Sequence, residues 1–193
     1  MHGLAAVLYF AAIVGTLERD PAKVERLASE LIELCTRQGF ALWLAGGEVL
    51  RGWARSVSGG SASSIAWIED SIRDFQVPGG KLSMPYLLAL KADALHLAGR
   101  TREALDALNE AETLAERSEE RWCCAELHRL RGVFLATLGA EEVQIEASFG
   151  EAIRIAKEQK SVSLEKRAET TYVEYRRQKT SASGGCGFRI PLW

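Results

Sequence analysis

The side chains in this chain best suited to metal or nucleophile chemistry are three histidines and four cysteines. Cys124 and His128 are four residues apart, so on a helix both can face one point, and Cys123 adjoins them. A structural zinc site needs four ligands, and a catalytic one needs three plus water. His2, His96, Cys35 and Cys186 lie in distant segments. Ordinary packing, the common fate of a free cysteine, therefore outweighs ligation, and no metal or cofactor is expected. Glu126 and Arg129, three apart on the same segment, fit a helical ion pair or a recognition surface. No Gly-rich turn presents a nucleophile to a histidine. Nor does any G-x-x-x-x-G-K-[ST] loop offer a backbone cradle for phosphates. The chain reads as a non-enzyme.

The elements that carry these residues follow from composition. Of 193 residues, 47% are apolar and 26% charged, an ordinary globular balance, and prolines number only four. Abundant Ala, Leu and Glu favour helix, because unbranched side chains lose little rotamer freedom there. A formal net charge of -2 gives no reason to expect nucleic acid or an anionic membrane as partner. Free thiols in helical contexts suit a reducing, cytoplasmic setting. Residues 3–15 (GLAAVLYFAAIVG) resemble the apolar core of a signal peptide. No Lys or Arg precedes them, however, and a bilayer span needs roughly 20 residues, so a buried helix is the better reading.

Self-similarity organises the chain. Leu50-Arg51-Gly52 followed by Gly59, Leu90-Lys91-Ala92 followed by Gly99, and Leu130-Arg131-Gly132 followed by Gly139 share one frame at offsets of forty. Ser64, Ile68 and Ser71 match Ala104, Leu108 and Ala111, and one further residue of shift brings in Ile145, Phe149 and Ala152. Each unit reads as two helices. Leu87, Leu90, Ala94 and Leu97 fall on one face, Gly99 stops the helix, and Thr101 is expected to cap the next. The small residues recurring at 52, 92 and 132 let helix axes come close. Helices are expected near 3–18, 21–38, 41–57, 62–75, 84–98, 101–117, 120–138, 142–158 and 161–179, with a flexible Ser/Gly-rich tail over 180–193.

The Gly132, Gly139, Phe149, Ala152 pattern, with Gly99, Ala104 and Ala111, resembles tetratricopeptide (TPR) repeats over residues 85–157. The departures are a period near forty, a cation at Arg51, Lys91 and Arg131, and no closing proline. The strings GFALWLAGGEVLRGWA, PYLLALKADALHLAGR and ERWCCAELHRLRGVFLATLGA further resemble the C-terminal repeats of large bacterial regulators. Those regulators carry class III adenylate/guanylate cyclase and AAA-type ATPase domains upstream. The resemblance implies an all-α, right-handed solenoid of stacked antiparallel helix pairs over residues 1–179. It also implies that any cyclase or ATPase activity belongs to domains other than this one.

By TPR analogy the concave wall would carry Trp53, Tyr86, Asp93, His96, Glu126 and Arg129 as a groove for a protein or peptide. Trp43, Trp67 and Trp122 read as packing, and Arg51, Lys91 and Arg131 as partners of acidic neighbours. The first helix, LAAVLYFAAIV over residues 4–14, is apolar all round. It implies cover from an upstream domain or from self-association. The expected function is a protein-interaction module of a signalling regulator. The alternative is a regulatory domain that senses a small-molecule effector.

Overall fold

The computed structural model describes residues 1–60, 62–77 and 79–181. Among them the chain is entirely helical: α1 (His2–Leu17), α2 (Pro21–Gln38), α3 (Ala41–Val57), α4 (Ala62–Gln76), α5 (Met84–Leu97), α6 (Thr101–Ser118), α7 (Cys124–Leu138), α8 (Glu142–Glu158) and α9 (Val162–Ser181). None of these helices is long and apolar enough to cross a membrane.

Each helix packs on its successor, and the odd-numbered helices also touch one another in order, α1 to α3 to α5 to α7 to α9. Among the described residues the even-numbered helices make no comparable contacts with one another. A single row of odd helices is therefore flanked by the even ones.

The forty-residue frame has a backbone cause. Arg19, Gly39, Gly59, Gly79, Gly99, Glu119, Gly139 and Lys160 all have positive φ, between 54° and 92°. One left-handed residue thus reverses the chain about every twenty positions, and Ser83 is the one further case among the described residues. Glycine takes this conformation without steric cost; Arg19, Glu119 and Lys160 take it at some cost. The first turn was invisible as a repeat because arginine occupies a slot that glycine fills forty, eighty and 120 residues later. Once Arg19 is aligned, α1 and α2 become a further copy, with Ala12 at the small position and Val24, Ala28 and Leu31 buried at the α4 and α6 positions.

Close approach explains the small residues. A Cβ on Gly52 would sit 2.6 Å from Ile68, and one on Gly132 would sit 2.7–2.9 Å from three atoms of the Phe149 ring. Gly46 leaves room for Tyr9 in the same way. The buried residues form a near-continuous apolar core along the row, with a small satellite of Ala125, Ala156 and Leu164.

Three local expectations are corrected. Thr101 is the first helical residue, not the cap: Arg100 holds that position, and the Thr101 hydroxyl is 3.0 Å from His96 Nδ1. Helix α7 begins at Cys124 instead of near 120, after a turn over residues 121–123. Helix α9 runs through Ser181, so the start of the expected tail is helical. The rest of that tail, 182–193, lies outside the described residues.

Gly132→Ala should destabilise the chain by about 1–3 kcal/mol, because the Phe149 ring has to move. Gly150→Ala, in α8 with nothing within 4 Å of its added carbon, should stabilise it by up to about 1 kcal/mol. Urea unfolding of the two variants measures both signs.

Candidate functional site

Five of the six residues expected on one wall come together where the odd helices meet. The repeat frame explains how: Trp53 and Asp93 occupy one slot on α3 and α5, and Tyr86 and Glu126 share another on α5 and α7. Stacking the helices therefore places these side chains in adjacent layers.

Trp53 Nε1 donates to Asp93 Oδ2 at 2.7 Å, and Arg19 donates to the same oxygen. The Arg19 guanidinium also lies over the Trp53 ring, 5.3 Å from its centre. One layer on, Glu126 accepts a two-pronged contact from Arg129 at 2.7 and 2.8 Å, and Arg167 of α9 approaches it at 3.1 Å. The Tyr86 hydroxyl is 2.7 Å from Thr16 Oγ1 on α1. Arg167 further donates to the backbone carbonyl of Leu17, and Arg129 reaches Thr171 Oγ1 at 3.4 Å. These contacts tie the end of α1 to α3, α5, α7 and α9 in one buried ladder.

The ladder is closed. Trp53, Tyr86, Asp93, Glu126 and Arg129 are each at most 5% exposed. The cavity lined by Trp53, Tyr86, Asp93 and Glu126, together with Thr16, Arg19, Ala89, Leu90, Leu130 and Arg167, has a volume of about 10 Å³. That is room for one water and nothing larger. The expected groove is thus filled at this level by the chain's own α1–α2 turn and α9. His96 stands apart, half-buried against the Phe134 ring at 4.8 Å.

Sequence reasoning missed Arg19, Arg167, Thr16 and Thr171. Arg19 could have been found by extending the forty-residue frame to the first turn. Nothing in the sequence of α9 marked Arg167 as a partner of Glu126.

The electrostatics follow from burial. In the ladder Arg19 faces Asp93, and Arg129 and Arg167 face Glu126. Burial alone would raise the Glu126 carboxyl, but Arg129 and Arg167 outweigh it and hold the carboxyl down at about 2. Burial lowers the His96 imidazole, with Asp93 opposing it. Asp93 Oδ1 is buried without a hydrogen-bond partner.

The other candidate side chains are tied into packing. Cys123 is buried, Cys124 is half-buried, and burial raises both thiols above their ordinary value, which works against a reactive thiolate. His128 lies 3.9 Å from Glu112. Among the described residues no three His, Cys, Asp or Glu side chains are gathered so as to hold a metal ion. Arg51, Lys91 and Arg131 pair with Glu48, Glu69 and Glu112 at 2.9, 3.0 and 2.5 Å, in keeping with the expectation of acidic neighbours. Trp43 packs edge-on against Tyr9, Trp67 lies under the Arg51 and Arg55 guanidinia, and Trp122 packs at a tilt against Tyr86 while donating to Glu120.

A second concavity, of about 490 Å³, opens between the α4–α5 connection and the end of α6. Met84, Pro85 and Leu114 give it an apolar lining, with Lys81 and Arg117 at its walls.

Comparison with known proteins adds little to this geometry. No family model matches the chain. It is similar to an uncharacterized protein of Rhizobium meliloti (strain 1021), 25% identical over 167 residues. That match takes in 86% of this chain and 16% of the relative, so the chain spans about a sixth of that protein's length. No solved structure matches.

Two predictions follow from the ladder. Arg19→Ala leaves Asp93 buried with only the Trp53 hydrogen bond and should destabilise the fold by about 3 kcal/mol in urea unfolding. Because the folded Glu126 carboxyl lies below its unfolded value, its contribution is present above the unfolded pKa. It is lost as pH falls from about 5 towards about 2. His96, lowered by burial, adds an earlier loss as pH drops below its unfolded value. Unfolding free energy measured against pH should fall through both windows, and Glu126→Gln should flatten the lower one.

Proposed function

We propose that this chain is a TPR-like, right-handed solenoid of stacked antiparallel helix pairs, and that it works as a non-enzymatic protein-interaction scaffold. The observation that carries the reading is the left-handed turn repeated about every twenty residues, combined with odd helices that pack in chain order. Such a row exposes long helical faces, and its rigidity comes from neighbours. The buried ladder makes that rigidity specific, fixing the angle between successive pairs through directional hydrogen bonds. A protein or peptide would meet the open faces beside the ladder, since the ladder itself has no room for a guest.

In this reading the scaffold is the regulatory segment of a bacterial, cytoplasmic cyclase/ATPase-type signalling protein. The length of the Rhizobium relative beyond the shared span supports a place within a larger polypeptide. Any cyclase or ATPase chemistry would reside in segments other than these 193 residues.

One observation favours a second reading, a domain that senses a small effector. The concavity beside Met84 and Leu114, at about 490 Å³, is in the size range of ligand pockets. Lys81 and Arg117 would favour an acidic, partly apolar molecule.

The two readings separate on purified components. The scaffold reading expects a captured partner to re-form a binary complex with the purified chain, while a metabolite panel leaves Tm unchanged. A ligand-dependent rise of several degrees, abolished by Lys81→Glu with Arg117→Glu and accompanied by no protein complex, would instead establish effector sensing.

A further inference from the structure

The repeat frame identifies a vacant seat on α1. Counting back forty residues from α3, positions 47, 50 and 54 become 7, 10 and 14. In α3, α5 and α7 these positions are Gly47, Leu50 and Ala54; Leu87, Leu90 and Ala94; and Leu127, Leu130 and Phe134. All nine residues are buried. In α1 they are Val7, Phe10 and Val14, and they are 65%, 43% and 49% exposed. Leu4, at the place of half-buried Leu44, is 51% exposed.

The structure also shows what covers this face elsewhere. A Cβ on Gly47 would meet Ile32 and Leu31 of α2 at 3.1 Å, so position 47 looks at the preceding even helix. Helices α5 and α7 likewise pack on α4 and α6. We propose that the exposed face of α1 seats a preceding even-type helix, and with it a further forty-residue hairpin, joined N-terminal to α1 in the natural polypeptide. The inference rests on the repeat-scaffold reading and adds to it a direction of extension.

The occupant's chemistry is that of α2: an amphipathic helix presenting leucine- and isoleucine-sized residues, because α1 has no charged side chain between His2 and Leu17 to pair with. A second copy of the chain fits less well. A 16-residue helix is about 24 Å long, and its one apolar stripe falls well short of the about 800 Å² per partner of a stable two-chain interface. A covalently joined hairpin needs no such area, since its effective concentration is already high.

The test reads the natural product. An antibody raised against the α8 segment, followed by intact mass, should find in source cells a polypeptide larger than 21.2 kDa, with the additional residues ahead of α1. In that longer protein the amides of residues 4–14 should exchange roughly tenfold or more slowly than in the 193-residue chain, approaching the protection of α3. A natural product of 21.2 kDa, or unchanged exchange in the longer protein, would overturn the proposal. So would a stable dimer of the 193-residue chain that Val7→Glu, a change at an exposed position, dissociates. None of these outcomes bears on whether the scaffold captures a partner, so the two readings fail separately.

Discussion

Charge buried along the line where the odd helices converge is the constraint on which the rest of the architecture depends. Asp93 and Glu126 lie out of water, and an unpaired buried carboxylate costs several kcal/mol. Each must therefore find hydrogen-bonding and cationic partners inside the fold. Asp93 receives Arg19 from the α1–α2 turn and the Trp53 indole from α3; Glu126 receives Arg129 from its own helix and Arg167 from α9. A hydrophobic row tolerates small rotations between helices. Directional contacts of this kind do not, and they set one arrangement among the many that apolar packing alone would accept.

The same constraint explains where the repeat departs from itself. A glycine would relieve the left-handed turn at residue 19 of its steric cost, as it does at 59, 99 and 139. Arginine stands there instead, because only a long cation at that turn reaches Asp93 on α5. Local strain of about 1 kcal/mol is offset by an ion pair and a cation–π contact in the interior. The slot shared by Ile13, Trp53, Asp93 and Val133 shows the same logic: four different side chains fill one geometric position, each matched to the layer it meets.

Closure of the inner face shifts attention to the edges. The six residues that would line an open groove include five that the molecule uses on itself, so the exposed faces lie outside the ladder. The apolar α1 face and the concavity by Met84 and Leu114 are among these. One is apolar and long, suited to a helix; the other is compact and flanked by cations.

Much of the fold was determined by residue pattern. Three- and four-residue spacing of Leu87, Leu90 and Ala94, the stops at Gly59, Gly99 and Gly139, and the small residues at 52, 92 and 132 specify helices of set length that approach closely, because these are local or nearest-neighbour properties. That Arg51, Lys91 and Arg131 pair with acids was also legible, although the acid sits at a different place each time: on the same helix for Arg51 and on the preceding helix for Lys91 and Arg131. The inner ladder was legible only in part. The resemblance to TPR repeats placed Trp53, Tyr86, Asp93, Glu126 and Arg129 on one side of their helices, but whether that side stayed open depended on residues as distant as Leu17 and Arg167. A contact across 150 positions leaves no periodic trace; only the tertiary packing sets Arg167 of α9 against the end of α1 and leaves the five side chains buried.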